Sequence, residues 1–317
     1  MPTAGHTLIT GARRSLAALV ITASVVMMAG ASAHAATTSV PQYKDYVALG
    51  DSYTADVFTT FPPTTQYVPF GCAQSSTDYP HQVAKLLHVA KFFDASCGGS
   101  TTTDMTRAQS VAGGTNPPEF SHLTRQTDLV TIGIGGNDIG LVGDATSCFI
   151  LVPTPVAGAP EGLGGSCAAK DTAGGVDQIR QAILSTAPKI ATTLKEIHQR
   201  SPNARILLVN YLDAVPVDGQ GCWPIVPVQN EDMAYFSAKF MEMNNMLGWM
   251  ATLSHVQVVD TYQATIGHDV CQAPTVRYVE GLIPVSANPP ALNFPLHPNG
   301  AGAEAQTQAV YAAIEGN

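Results

Sequence analysis

Residues 46–53 read Tyr-Val-Ala-Leu-Gly-Asp-Ser-Tyr, and this stretch indicates the fold of the whole chain. An apolar run with strand character, 46–49, meets Gly50, and the polar pair Asp51-Ser52 follows where a crossover helix is expected to begin. A serine at this place lies at the carboxyl end of a parallel strand, with its N–H near a helix N-terminus, where negative charge is favoured. Taken alone, Gly-Asp-Ser is also the sequence of an ordinary turn and helix cap, so its meaning depends on what lies downstream.

Four further apolar runs have the character of buried strands, because each is short, mostly β-branched or aromatic, and bounded by turn formers. They are residues 91–95, 129–134, 206–210 and 256–259. Helical patterns lie at 78–89, 176–198, 230–253 and 300–314, and we expect Pro188 to kink or split the second. This alternation predicts an α/β fold, a three-layer α/β/α sandwich with a central five-stranded parallel sheet. The functional site of such a sheet lies at the carboxyl ends of its strands.

Residues 1–35 have the features of a secretory signal peptide. Arg13 and Arg14 precede an uncharged apolar run at 15–31, and Ala-His-Ala at 33–35 fits a cleavage site. Because polar residues and glycine interrupt the run, an N-terminal membrane anchor is the weaker alternative, and both Sec and twin-arginine export stay open. We therefore expect a secreted protein in which residues 36–317 form a single domain with no membrane anchor once the leader is removed.

The charge of the mature chain limits its partners. The leader holds 2 of the 15 Lys and Arg and none of the 24 Asp and Glu, which leaves 13 basic and 24 acidic residues, a net charge of −11. That balance argues against nucleic acid and anionic membranes as partners. With 12% charged and 45% hydrophobic residues, the composition suits a neutral or apolar small-molecule substrate. We expect the chain to act as a monomer.

All six cysteines follow the leader, and an even number in an exported chain implies disulfides. We predict that neighbours along the sequence pair, namely Cys72 with Cys97, Cys148 with Cys167, and Cys222 with Cys271. Since no two cysteines have the spacing of a metal-binding pair, we expect no zinc site. The segment between Cys148 and Cys167 is either a disulfide-closed surface loop or a flap that faces the substrate.

Three more motifs fall where the strands end or the last helix begins. The second strand is followed by Ser-Cys-Gly-Gly-Ser-Thr-Thr at 96–102, and the third ends in Gly-Ile-Gly-Gly-Asn-Asp at 133–138. Leu-His-Pro-Asn-Gly, residues 296–300, precedes the last helix. Each has an ordinary structural explanation by itself, as a turn, a cap or a structural histidine.

Together, the order Ser52, Gly99, Asn137, His297 resembles the SGNH (GDSL) hydrolase family, particularly its secreted actinobacterial lipases and esterases. The resemblance covers nearly all of the mature chain. It implies that Ser52 is the nucleophile and His297 the general base and then acid. It also implies an oxyanion hole made of the Ser52 and Gly99 N–H groups and the Asn137 side chain, with no metal and no organic cofactor.

One position departs from the family pattern. Many members carry Asp three residues before the histidine, where this chain has Phe294. A histidine base needs an acceptor for its second ring nitrogen, and a main-chain carbonyl can serve. We expect a Ser52–His297 dyad oriented by the Phe294 carbonyl, with Asp260 or Asp269 as alternative carboxylates.

These residues predict hydrolysis of a carboxylic ester through an acyl-enzyme on Ser52, with a lipid-like or neutral acyl ester as substrate. Deacetylation of a glycan is the alternative within the same chemistry, and a catalytically silent secreted binding protein is the alternative from another class. An α/β-hydrolase elbow, a His-Glu-x-x-His metal motif and a dinucleotide-binding glycine motif are all missing from the sequence.

Overall fold

A computed structural model describes residues 42–150, 165–287 and 290–316. Within these ranges, strand β1 begins at Asp45 and ends at Gly50, and it lies between two parallel neighbours. The predicted leader at 1–35, the junction at residue 36 and most of the insert between Cys148 and Cys167 lie outside the described residues.

The central sheet has the strand order β2-β1-β5-β6-β7, and all of its pairs are parallel. Its strands are β1 Asp45–Gly50, β2 Lys91–Asp94, β5 Leu129–Gly133, β6 Arg205–Val209 and β7 Gln257–Val259. Each predicted apolar run forms one of them, to within one residue at each end. The prediction of a five-stranded parallel sheet is therefore confirmed.

Short hairpins and helices fill the connections. The hairpins pair β3 Gln109–Val111 with β4 Gly114–Asn116, and β8 Val285–Ala287 with β9 Pro290–Leu292. The helices are α1 Tyr79–Leu87, α2 Gly136–Ile139, α3 Leu141–Ser147, α4 Cys167–Asp171, α5 Gln178–Arg200, α6 Asn230–Leu253, α7 Thr261–Ala264 and α8 Gly300–Glu315. Single 3₁₀ turns form at Phe70–Cys72, Glu119–His122 and Ala173–Gly175.

The two faces of the sheet are buried under different helices. Val47 and Leu49 of β1 join the core cluster that contains the apolar stripe of α5 and α6. Tyr46 and Ala48 point the other way, into the cluster formed with α1 and α8. Because successive strand side chains alternate between faces, this division gives the expected three layers.

Helix α5 runs without a break through Pro188, so of the predicted kink or split the split is wrong. Proline removes one helical N–H, which by itself weakens a helix. The buried stripe that includes Ile183, Ile190 and Leu194 packs against the core on both sides of this position. That packing holds the two halves of α5 in one helix.

The three predicted disulfides, Cys72–Cys97, Cys148–Cys167 and Cys222–Cys271, are all formed. Across the described ranges, no helix has both the length and the hydropathy needed to cross a bilayer.

Candidate active site

The turn that carries Ser52 consists of Gly50, Asp51 and Ser52 and begins where β1 ends; it is called the nucleophile turn after the role expected of Ser52. Gly50 has φ +147°, and a Cβ there would lie 2.4 Å from the Gly133 carbonyl oxygen, so only glycine fits. The Asp51 N–H donates to that same carbonyl at 3.0 Å, which holds the turn against β5. Ser52 follows, 8% exposed, at the carboxyl edge of the sheet.

His297 reaches Ser52 from the loop before α8. Its Nε2 lies 2.8 Å from Ser52 Oγ, and its Nδ1 lies 2.8 Å from the main-chain carbonyl oxygen of Pro295. Since a carbonyl only accepts, Nδ1 carries the proton and Nε2 is left to accept from the serine hydroxyl. Ser52 Oγ and His297 Nε2 are thus in hydrogen-bond contact, in the tautomer that transfer of the serine proton to the ring would need.

The orienting carbonyl belongs to Pro295, so the prediction that named Phe294 is wrong by one residue. Leu296 has φ +59°, in the left-handed region, and this turn brings the Pro295 carbonyl under the imidazole. The Phe294 carbonyl instead accepts from the His297 main-chain N–H at 3.3 Å. The Phe294 ring packs edge-on against the imidazole, with 5.0 Å between ring centroids.

Neither alternative carboxylate contacts His297 in the described structure. Asp260 caps α7 and accepts from Asn210 Nδ2 at 2.9 Å. Asp269 accepts from the Cys271 N–H at 2.8 Å. Both acids are engaged in loop structure, and the histidine is left with a neutral acceptor.

Burial lowers the pKa of His297 to about 4, and the hydrogen bond with the Pro295 carbonyl opposes this shift. Among the described residues the imidazole has no carboxylate partner that would stabilise its charged form, so desolvation dominates. At neutral pH the ring is therefore neutral and able to accept the proton of Ser52.

Of the three expected oxyanion donors, Ser52 and Asn137 line one cavity, and Gly99 lies in a loop that is hydrogen-bonded to the segments of both. The Ser52 and Gly99 N–H groups have no acceptor within the described part of the chain. Asn137 lines the same cavity as Ser52, and its Nδ2 donates to the Ser100 carbonyl at 2.9 Å, next to Gly99. Gly99 adopts φ +77°, and the adjoining Cys97 N–H donates to the Gly50 carbonyl at 2.9 Å, which joins its loop to the nucleophile turn. Backbone N–H groups and an amide in this arrangement can stabilise a developing oxyanion.

A buried carboxylate that sequence reasoning missed connects these two loops. Glu119 Oε2 accepts from the Gly50 N–H at 2.7 Å, and its Oε1 accepts from the Ser100 hydroxyl at 2.6 Å. Burial raises the pKa of Glu119 well above its usual range. Glu119 lies in a 3₁₀ turn between β4 and β5, with no motif around it in the sequence.

Tyr211 supports the nucleophile turn from the other side. Its hydroxyl donates to Asp51 Oδ2 and accepts from the Gly136 N–H. Burial raises the pKa of Asp51 to about 7. The Tyr53 hydroxyl donates to the Leu296 carbonyl at 2.8 Å, so the turn is also tied to the histidine loop. Tyr211 follows β6 at the carboxyl edge of the sheet. Its place beside the nucleophile turn can be inferred only once the strand order is known.

An apolar cavity of about 70 Å³ opens beside the dyad. Its walls carry aliphatic and aromatic side chains, among them Val226, Val228, Met233 and Phe236. Four residues line both this cavity and the one that contains Ser52, namely Tyr53, Leu141, Val142 and Phe240. A hydrocarbon chain bound there has one end next to the serine.

Comparison with known proteins identifies the family and supports the fold. A model of the GDSL-like lipase/acylhydrolase family matches residues 48–305. Lipase 2 of Streptomyces coelicolor is 32% identical over 278 residues, covering 86% of each chain. The structure of phospholipase A1 from Streptomyces albidoflavus NA297 has a TM-score of 0.63 at 20% identity, over 85% of this chain and 99% of that one. For the extracellular lipase of Streptomyces rimosus, the TM-score is 0.61 at 22% identity, with the same two coverages.

Proposed function

Because the chain belongs to the GDSL-like lipase/acylhydrolase family and is a carboxylic ester hydrolase, we propose that it acts through a Ser52–His297 dyad on esters with an apolar acyl chain. The observation that carries the mechanism is the contact of His297 Nε2 with Ser52 Oγ at 2.8 Å, with Nδ1 held by a carbonyl.

In the first half of the reaction, Ser52 Oγ attacks the carbonyl carbon of the ester while His297 Nε2 takes the hydroxyl proton. The carbonyl π electrons move to its oxygen, which receives hydrogen bonds from the Ser52 and Gly99 N–H groups and from Asn137 Nδ2. When the C–O bond to the alcohol breaks, the imidazolium gives its proton to the departing oxygen. An acyl ester on Ser52 and a free alcohol result.

The second half repeats these steps with water. His297 takes a proton from the water as its oxygen attacks the acyl carbon, and the proton then returns to Ser52 Oγ as the acid is released. The Pro295 carbonyl keeps Nδ1 protonated throughout. No step needs a metal ion or an organic cofactor.

The apolar cavity supports an acyl chain longer than acetyl as the preferred substrate. Apart from Tyr53, the side chains that line its described walls carry no group that binds a sugar hydroxyl through hydrogen bonds. Burial of methylene groups there would stabilise bound substrate by about 0.8 kcal/mol each. The preferred substrates are therefore lipid-like acyl esters.

The test is hydrolysis of a p-nitrophenyl ester series from acetate to palmitate. Ser52→Ala and His297→Ala should each lower kcat by about 10³-fold or more with the fold intact by circular dichroism. Folded variants that retain wild-type kcat would exclude the dyad.

Chain-length preference is tested separately, by filling the cavity. Ala145 lines it, and Ala145→Phe should shift the optimum to shorter esters. Ala264, exposed on α7, provides a matched control, since Ala264→Phe should leave the optimum unchanged. An optimum that does not move in Ala145→Phe would place the acyl chain elsewhere.

We also propose that the enzyme is secreted after removal of residues 1–35. Three disulfides are typical of an oxidising compartment and support this. The dyad and the oxyanion donors all come from one chain, which supports a monomeric enzyme. Mass spectrometry of secreted protein should find an N-terminus near Ala36, whereas an intact Met1 would contradict leader removal.

A further inference from the structure

A second cluster of titratable side chains lies outside the catalytic site, where the first turn of α1 meets the end of β2. Asp78 caps α1, His81 lies in its first turn, and Asp94 is the last residue of β2. One carboxylate oxygen from each acid and one imidazole nitrogen lie within 4.8 Å of one another. His81 Nδ1 is 2.6 Å from Asp78 Oδ1 and 3.6 Å from Asp94 Oδ2.

A third acid, Asp56, follows the nucleophile turn and couples electrostatically to Asp78 and Asp94. One oxygen of each of the three accepts a main-chain N–H, at 2.9 to 3.0 Å. The other oxygens, Asp56 Oδ1, Asp78 Oδ2 and Asp94 Oδ2, are buried and accept no hydrogen bond from an N–H or hydroxyl group in the described structure. All three side chains have zero exposure. A cap or a turn needs only the first oxygen, so the second set is left for another partner.

The described surroundings supply little positive charge for these acids. His81 is the only basic side chain paired with Asp78 or Asp94 across the described ranges. One imidazole next to three buried acids leaves at least two of them without a positive partner. Buried carboxylates are stable only when they are protonated or paired with positive charge.

We propose that Asp78, His81 and Asp94 bind a divalent metal ion of the zinc type, which fastens the start of α1 to the end of β2. A neutral imidazole nitrogen together with carboxylate oxygens is a donor set that zinc accepts. In a tetrahedral site with bonds of about 2.0 Å, donor atoms lie about 3.3 Å apart. His81 Nδ1 is hydrogen-bonded to Asp78 Oδ1 at 2.6 Å and lies 3.6 Å from Asp94 Oδ2. An ion would replace the proton of the first contact and separate those two atoms by about 0.7 Å. Asp56 adds negative charge next to the ion.

The metal has a structural role in this proposal. The donors are buried, none of them contacts Ser52 or His297 in the described structure, and the reaction needs none of them. The sequence-based expectation of no zinc rested on cysteine spacing, and this donor set contains no cysteine. The competing explanation is that the acids share protons instead of a metal ion.

The experiment measures metal content and melting temperature of the full mature protein after incubation with Zn²⁺, with Ca²⁺, or with a chelator. We expect about one equivalent of Zn²⁺ per chain by elemental analysis after gel filtration. Chelation at pH 8 should lower Tm by about 5 °C or more, because an ion that binds only the folded state adds to its stability.

Two variants and a matched control identify the ligands. Asp78→Asn removes the charge but keeps an oxygen that can accept from the His81 main-chain N–H. Asp94→Asn, at the end of β2, likewise removes the charge but keeps an oxygen for the main-chain N–H that Asp94 binds. Both should lose the bound Zn²⁺ and the effect of the chelator. Asp260→Asn changes another helix cap, on α7, and should bind zinc like the wild type.

A wild-type protein with no stoichiometric metal and a Tm that chelation does not change would overturn the proposal, whether or not the variants fold. So would preferential retention of Ca²⁺ over Zn²⁺. If the acids share protons, Asp78→Asn should instead raise Tm at pH 8, since it removes a buried group that resists ionisation.

Discussion

Replacing Glu119 tests whether the nucleophile turn and the oxyanion loop are held together by one buried carboxyl group. Glu119 is 1% exposed and bridges the Gly50 N–H and the Ser100 hydroxyl. Ser52 lies two residues after Gly50, and Gly99 directly precedes Ser100. The N–H groups of Ser52 and Gly99, which are proposed to stabilise the oxyanion, therefore lie within two residues of a group that is hydrogen-bonded to Glu119.

Glu119→Ala leaves two buried polar groups without partners and opens a cavity. Each unsatisfied group destabilises by about 1 to 3 kcal/mol, so the free energy of unfolding should fall by about 3 to 5 kcal/mol. Loss of one well-placed oxyanion donor lowers kcat by about 10²- to 10³-fold. We expect kcat to fall by about 10²-fold while KM changes little, because the apolar cavity is untouched.

Glu119→Gln should retain most of both quantities. Burial raises the pKa of Glu119 well above its usual range, so the site favours a side chain without a negative charge. One Glu119 oxygen accepts from the Gly50 N–H and the other from the Ser100 hydroxyl. The Gln amide has nearly the same shape: its oxygen keeps the bond from Gly50, and its NH₂ group can donate to the Ser100 oxygen once that hydroxyl rotates.

The assay is steady-state hydrolysis of p-nitrophenyl butyrate at a temperature where all variants are folded, together with urea unfolding. Glu231→Ala removes an exposed acid from the first turn of α6 and controls for the loss of a negative charge. A folded Glu119→Ala enzyme with wild-type kcat would refute the reasoning, and so would a Glu119→Gln enzyme as impaired as the alanine variant.

Three further predictions concern the same site. Burial lowers the pKa of His297 to about 4, and only the neutral ring can act as base. The pH profile of kcat/KM should therefore hold its plateau down to about pH 5 and fall below about pH 4. An inflection near pH 6.5 would mean that the base is solvated. Breaking the Cys72–Cys97 bridge with Cys72→Ser and Cys97→Ser should lower the free energy of unfolding by about 3 to 4 kcal/mol, measured by urea titration, and should reduce kcat. An unchanged kcat would show that the loop carrying Gly99 does not depend on the bridge. Asp260→Asn should keep kcat within about threefold of wild type, because its carboxylate does not contact the histidine, and loss of turnover in a folded variant would restore a triad.

The sequence predicted the sheet and the chemistry well because both depend on local patterns. Short β-branched runs between amphipathic helices specify parallel strands, and polar residues after such strands meet at one edge. Ser52 and His297 are 245 residues apart, and the sheet brings them to hydrogen-bond distance. Strand ends and the disulfide pairs were predictable for the same reason.

The groups that support the dyad were not predictable in this way. The orienting carbonyl shifts from Phe294 to Pro295 because Leu296 takes a left-handed conformation, which no glycine or asparagine signals at that position. Glu119 and Tyr211 act through contacts that exist only once the strand order is known. Pro188 marks a helix break by local rules, yet packing of the buried stripe overrides it.

A neutral orienting group has a consequence for where this enzyme is sensitive to change. A carboxylate behind His297 would stabilise the imidazolium, whereas the Pro295 carbonyl contributes only a dipole, and the pKa of the buried ring falls to about 4. Proton transfer from Ser52 is then less favourable in the resting enzyme. The oxyanion donors must therefore supply more of the stabilisation of the transition state. The oxyanion that they bind is negatively charged, so it also stabilises the imidazolium across the site. The loop that carries Gly99 is joined to Cys72 by a disulfide and to Glu119 by a hydrogen bond. These two connections restrain the loop whose N–H group is proposed to bind the oxyanion. On this argument, variants that loosen the Gly99 loop should lower kcat more than variants that change the surroundings of the Pro295 carbonyl.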